Sequence, residues 1–202
     1  MDVKKELKKK DKTLNEIEKN VWRYNLMKVA IITASTAVYK GEQEDASGKV
    51  IRKMVEEAGL DVVFMKDLPT DKTVLSTVFQ RMADGNLADL ILTTGGAGCG
   101  PEDCTPEATM EVVDRPLLGI PEGMRAHMLT LTKRAMLNRA AAGIRGNVVI
   151  VNLPGKAGAV KECLGYILPE VMHAVEVAQV IVEEKGPVVT TGAGNPEKYM
   201  KM

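Results

Sequence analysis

Aromatic side chains are scarce in this chain of 202 residues: Phe, Tyr and Trp together make up 3% of it. A single-stranded nucleic-acid platform needs several aromatic faces in one place, and Trp22, Phe64 and Phe79 are too scattered to supply one. Net charge is lacking as well, with 27 Lys and Arg against 27 Asp and Glu. No broad positive field therefore draws a polyanion to the surface. Only three cysteines occur, Cys99, Cys104 and Cys163, without a CxxC pair. That excludes a disulfide-dense scaffold, and with His127 and His173 the spacing matches no recognised zinc pattern. No apolar run approaches the roughly 20 residues of a membrane span, and the N-terminus mixes Lys with Asp and Glu, unlike a secretory leader. The expectation is a cytoplasmic protein with no nucleic-acid or membrane partner.

What is present is a core. Hydrophobic residues make up 45% of the chain, enough for one well-buried domain. Residues 1–25 form a charged N-terminal extension with a partial apolar stripe, and residues 186–202 a loose tail rich in Gly, Pro and Thr. Between them, residues 26–185 alternate strand-like and helix-like signals. Residues 28–34, 60–64, 88–92 and 148–152 are short apolar runs. Helical spacing fills residues 47–58, 72–82, 106–113, 158–167 and 169–184, while residues 124–142 are helical in composition but broken near Thr130 and Thr132. This alternation predicts a three-layer α/β/α domain around an open, mostly parallel sheet.

The strongest chemical signal follows the third strand. Thr93-Thr94-Gly95-Gly96-Ala97-Gly98-Cys99-Gly100 is a glycine loop, and Thr105-Pro106-Glu107 reads as a helix N-cap, a first-turn proline and a well-placed acid. Such a helix start can hold phosphate. It is neither a P-loop nor the dinucleotide fingerprint, and a turn or packing requirement would also explain the glycines. Asp103 lies between loop and helix, where a carboxylate can place Mg²⁺ beside a phosphate; Asp71, after the second strand, comes to the same sheet edge in a parallel architecture. Two acids there suit metal-assisted phosphoryl or nucleotidyl transfer. Equally, Asp71 suits a helix cap and Asp103 a turn.

A family resemblance rests on several separated motifs. Thr93-Thr94-Gly95-Gly96 with Gly98, Asp103, Thr105-Pro106-Glu107-Ala108 and Thr109 is followed in order by Ile120-Pro121-Glu122 with Met124-Arg125, then Arg134-Ala135-Met136-Leu137 with Arg139. Gly143-Ile144-Arg145-Gly146 and Val151-Asn152-Leu153-Pro154-Gly155 complete the set. Together these resemble the molybdopterin adenylyltransferases of molybdenum cofactor biosynthesis, over roughly residues 28–184. The resemblance implies a molybdopterin-binding-like fold and transfer of AMP from ATP to molybdopterin with Mg²⁺, releasing pyrophosphate. It assigns Gly95, Gly96, Gly98 and Thr105 to ligand binding, with Glu107 in support. Asn152, Pro154 and Gly155 become contacts in the cleft. Asp71 and Asp103 become the catalytic acids and holders of the metal. A homotrimer, or a hexamer of two trimers, and hand-over to a downstream molybdenum-insertion protein are further implications.

The chain also departs from the family pattern. Thr36 stands where many relatives carry an acid after the first strand, Ala97 where most have Thr, and Glu102 where most have a basic residue. Losing a hydroxyl and reversing a charge both weaken attraction for a polyphosphate. These positions leave open a noncatalytic molybdopterin-binding or assembly role in the same pathway. Elsewhere, His173 on an apolar helix is expected to be packed or interfacial, His127 to be structurally placed, and Arg125, Arg134, Arg139 and Arg145 to add positive charge or ordinary helix contacts.

Overall fold

A computed structural model describes residues 27–179 of the chain. The expected extension and tail, and the end of the last helix at residues 180–184, lie outside those residues. Strand β1 (Lys28–Ala34) leads through a single turn, α1 (Thr36–Tyr39), into α2 (Ala46–Glu57); β2 (Asp61–Leu68), α3 (Lys72–Asp84), β3 (Leu90–Thr94) and α4 (Thr105–Val112) follow. The second half comprises β4 (Arg115–Pro116), α5 (Gly119–Leu129), a 3₁₀ turn (Lys133–Leu137), β5 (Ala142–Arg145), β6 (Val148–Leu153) and α6 (Ala157–Ala178). These make one sheet in the order β2-β1-β3-β6-β5-β4. The pairs β1·β2, β1·β3 and β3·β6 are parallel, and the short β5 and β4 complete the far edge by antiparallel pairing.

Buried parallel strands read as continuous apolar runs because both faces are covered. Alternate residues divide between two cores. Val29, Ile31, Leu90, Leu92, Val149 and Val151 meet Ile51 and Val55 of α2 and the inner face of α6. Ala30, Ile32, Ile91 and Ile150 meet Leu75 and Phe79 of α3 and Ala108 and Val112 of α4. The expected three layers are present. Asp71 caps α3 by accepting a hydrogen bond from the Val74 N–H at 2.9 Å, as its position before the helical pattern predicts.

Three expectations are corrected. The helices expected at 158–167 and 169–184 begin as one, since α6 runs through Pro169. An interior proline costs about 3 kcal/mol. Pro169 lies on the exposed side, while Val160, Leu164, Ile167, Val171 and Val175 carry a buried stripe across it, and burial of each such side chain is worth about 1.5–3 kcal/mol. Packing outweighs the break. At the other edge, the stretch expected to be helical through residue 142 has left the helix before its end: α5 stops at Leu129, a 3₁₀ turn follows, and Ala142 opens β5, which pairs with β6 and passes close to Val113 at Gly143, where a Cβ would stand 2.8 Å away. Finally, Cys104 rather than Thr105 occupies the N-cap of α4.

Candidate functional site

The topology reverses beside β1: β2 lies on one side of it and β3 on the other. The helix that follows β1, α2, covers one face, whereas α4, after β3, covers the opposite face. Their connections diverge at the carboxyl ends of β1 and β3, leaving the crevice in which open α/β sheets bind ligands. Close backbone approach builds its floor. Gly95 has φ +87°, and a Cβ there would fall 2.4 Å from the Ala34 carbonyl oxygen. Gly155, after β6, packs against Gly95 from the other side, its Cβ position 3.3 Å from the Gly95 Cα. The ends of three neighbouring strands thus meet through glycine.

Gly96 continues the turn at φ +61°, where a Cβ would lie 2.3 Å from Thr105 Oγ1 and 3.2 Å from the methyl of Thr70. Only glycine tolerates both the left-handed conformation and the contact. Among the described residues, no protein acceptor takes the N–H of Gly96, Ala97, Gly98 or Cys99. A run of free amides at the carboxyl edge is a set of donors for an anion. Asp103 stabilises the far side of the loop, its Oδ2 accepting from the Gly100 N–H at 2.7 Å and its own N–H donating to the Gly100 carbonyl at 3.1 Å. Each of Asp71 and Asp103 accepts one backbone hydrogen bond through one oxygen.

The loop bearing Asp71 adjoins this one. Thr36 and Thr70 exchange bonds, the Thr36 N–H donating to Thr70 Oγ1 at 3.3 Å and the Thr70 N–H to Thr36 Oγ1 at 3.1 Å. Thr36, where an acid was missing, therefore ties the turn after β1 to the one carrying Asp71. Both acids act on the Cys104 thiol, which burial first, then Glu107, Asp71 and Asp103, push above its ordinary value. Glu107 is held below the usual range for glutamate: burial works against it, but a hydrogen bond and charge from Arg139 prevail. Nearby, Thr33 Oγ1 donates to Asp45 at 2.9 Å, and burial, followed by the Asp45 charge, pushes the Asp67 carboxyl up.

Two expected contacts are corrected by burial. Thr105 is 0% exposed, and its hydroxyl donates inward to the Gly95 carbonyl at 2.9 Å. Asn152 is also 0% exposed. Its amide donates to Thr93 Oγ1 at 3.0 Å and Thr109 Oγ1 at 2.8 Å, while its Oδ1 accepts from the Ala141 N–H at 3.2 Å. Both side chains brace the loops from below and have no surface to offer a ligand. Gly95, Gly96, Gly98, Glu107, Pro154 and Gly155 do line the exposed or half-exposed edge. The Pro154 carbonyl is engaged by the Thr94 hydroxyl at 2.7 Å, and the Gly155 carbonyl by Ser47 at 2.8 Å. Neither the Ser47 brace nor the Thr36–Thr70 exchange left a sign along the sequence.

The remaining candidates lie elsewhere. His173 is exposed, 3.4 Å from Glu176 on its own helix, and is not packed. His127 stacks on Tyr166 with ring centroids 4.4 Å apart. Arg145 pairs with Asp84, and Arg125 donates to the carbonyls of Asn138 and Ala140. Cys163 is buried in the core, where desolvation, then Glu162, raises its thiol to about 11. No group of three or more His, Cys, Asp or Glu side chains able to hold a metal occurs among the described residues.

Comparison with known proteins supplies the family and agrees with the fold. Residues 30–173 match the family described as a probable molybdopterin binding domain. A molybdopterin adenylyltransferase of Helicobacter pylori is 35% identical over 150 residues, covering 73% of this chain and 85% of that protein. Its Pyrococcus furiosus counterpart is 38% identical over 158 residues, with 75% and 91% covered. In structure, the molybdopterin biosynthesis enzyme MoaB of a Thermus species superposes with a TM-score of 0.72 at 37% identity, covering 76% of this chain and 96% of that one. The match over residues 30–173, with relatives 35% and 38% identical over most of their length, shows that the chain belongs to the molybdopterin-binding family of molybdenum cofactor biosynthesis proteins.

Proposed function

We propose that this protein is a molybdopterin adenylyltransferase, joining AMP from ATP to the terminal phosphate of molybdopterin. The observation that carries the reading is the juxtaposition of the free amides of residues 96–99 with Asp71 and Asp103 at the crevice between β1 and β3. A phosphate oxygen of molybdopterin forms a bond to the α-phosphorus of ATP, the bond from that phosphorus to the β-phosphate bridging oxygen breaks, and pyrophosphate leaves. The nucleophile is already an anion, so no protein base is needed. The work of the site is to orient two phosphorylated substrates and to offset developing charge, which fixed backbone dipoles do without reorganising.

The donor set fits a magnesium ion. Mg²⁺ is characteristically bound by one or two carboxylates together with substrate phosphates and water, and Asp71 and Asp103 each keep one oxygen outside their backbone hydrogen bond. Those two residues would hold it, and it would neutralise charge on the polyphosphate. The edge itself carries Asp71, Asp103, Glu107 and the exposed Glu102, while Lys72 and Arg139 are engaged by Glu111 and Glu107. A bare triphosphate would meet repulsion there, which is a physical reason for a divalent cation.

Exposed Leu118, Leu129, Leu131, Met136 and Leu137 fall between the start of α5 and the end of the following 3₁₀ turn; a trimer, or a hexamer of two trimers, would cover them. The three free cysteines suit the reducing cytoplasm, and no described helix is long and apolar enough to cross a membrane. The product would pass to a protein that inserts molybdenum. The decisive experiment combines purified protein, molybdopterin, ATP and Mg²⁺ and measures adenylated molybdopterin together with pyrophosphate. Equal formation of both is expected. Binding of molybdopterin by folded protein with neither product would overturn the transferase reading in favour of an assembly role.

A further inference from the structure

The exposed part of the glycine loop is held from outside by a single side chain. Among themselves, residues 98–103 make only a local exchange between Gly100 and Asp103, and Cys99 to Glu102 are exposed. Arg139, which follows the 3₁₀ turn, engages all three guanidinium nitrogens on this region. Nε donates to the Gly98 carbonyl, Nη2 to the Asp103 carbonyl at 2.7 Å, and Nη1 to the Glu107 carboxylate. Its backbone N–H adds a bond to the Ala97 carbonyl at 3.0 Å, and the Cys99 thiol donates to the Leu137 carbonyl at 3.3 Å. Among the described residues, no other side chain outside the loop hydrogen-bonds to residues 98–103.

We propose that Arg139 is a positioning residue, a clamp that holds the glycine loop and the Asp103 backbone in the ligand-binding arrangement without itself touching the ligand. The charge is spoken for by Glu107, and the remaining forks are directed at two carbonyls 5 residues apart in the chain. A guanidinium can serve three diverging acceptors at once because its donors sit in a rigid plane. Lysine offers a point charge on a flexible stem and cannot reproduce that geometry. The clamp thus differs from a phosphate-binding arginine, for which lysine is a partial substitute.

The kinetic half of this proposal rests on the adenylyl-transfer reading; the structural half does not, and the experiment separates them. Arg139→Lys and Arg139→Ala are each assayed for adenylated molybdopterin across ATP and Mg²⁺ concentrations, and amide hydrogen exchange is followed on the full chain. A clamp predicts that kcat falls in both variants by about 10–100-fold, as misplacement of a site commonly does, while KM for ATP changes by less than about threefold, as expected when uniform binding is spared. Ethylguanidinium added to Arg139→Ala restores several-fold of the rate. The hydrogen-bonded amides of Gly100, Asp103 and Thr105 exchange faster in both variants, while those of β1 and β3 do not. A raised KM for ATP with kcat unchanged, or full rate in Arg139→Lys, would overturn the clamp and make Arg139 a ligand contact. Unchanged exchange at Gly100, Asp103 and Thr105 would overturn it as well. Wild-type protein that forms no product would refute the transferase reading alone, leaving the exchange measurement to decide the clamp; Arg139→Lys carries both readouts should the alanine variant be unstable.

Discussion

Asn152 separates a brace from a ligand contact, and Asn152→Ala tests which it is. The side chain makes three hydrogen bonds in a fully buried position, two donated to Thr93 and Thr109 and one accepted from Ala141. Truncation leaves the half-buried Ala141 N–H without that acceptor, at about 1 kcal/mol, the low end for an orphaned donor. The two donated bonds are worth about 0.5–1.5 kcal/mol each, partly recovered when the threonine hydroxyls rotate to other partners. The expected loss is about 2 kcal/mol. With a urea m-value of about 2 kcal/mol/M, the midpoint should fall by about 1 M. Circular dichroism at one fixed protein concentration measures this, since any self-association makes stability concentration-dependent. A loss below about 1 kcal/mol, joined to a raised KM for molybdopterin, would refute the argument and return Asn152 to the ligand. The brace reading requires the reverse: lower stability, with KM unchanged where the variant is still folded.

Asp71→Asn should cut product formation by about 100-fold or more if it shares the metal, yet leave the melting temperature almost unmoved, because asparagine caps a helix as well as aspartate; full activity would leave Asp71 as a cap alone. Asp103→Asn should show the same kinetic defect at higher Mg²⁺ demand, and unchanged turnover in folded protein would remove it from the site. Gly96→Ala forces a Cβ to 2.3 Å from Thr105 Oγ1 at φ +61°, so a loss of about 1–3 kcal/mol is expected in a thermal melt; wild-type stability would show that the loop yields. Asp67 is held with its proton more tightly in the folded chain than in the unfolded one, through burial and then Asp45. The folded state therefore loses stability as pH rises from the ordinary aspartate range through the raised folded pKa. Asp67→Asn should raise the urea midpoint at neutral pH, with the gain vanishing as pH falls below that range; a gain independent of pH would contradict the assignment.

Much of the architecture was legible along the chain. Strand β1 coincides with the expected residues 28–34, and the helical spacing of residues 72–82 and its Asp71 cap fall within one or two residues of α3. Buried parallel strands and amphipathic helices announce themselves because each satisfies its own periodicity. The edge strands β4 and β5 do not: they are 2 and 4 residues long, too short to carry a period, and exist because β6 offers β5 a partner and β5 in turn offers one to β4. Pro169 misled for the opposite reason. A local rule, that proline ends a helix, was overridden by a buried stripe extending across it.

Within the site the same division holds. The glycines after β3 could be found from sequence because a tight turn with positive φ demands them, and Asp71 and Asp103 because a helix cap and a turn call for a short carboxylate at those places. The amino-acid sequence by itself determined the layers, the parallel core and the glycine loop after β3, since these follow from local periodicity and backbone freedom. Only the tertiary structure decided which polar side chains face outward. Thr105 and Asn152 turn inward to satisfy buried carbonyl, hydroxyl and amide groups, and Arg139 reaches across 36 residues to Asp103. A polar residue's partners are set by which elements pack together, and no pattern along the chain records that.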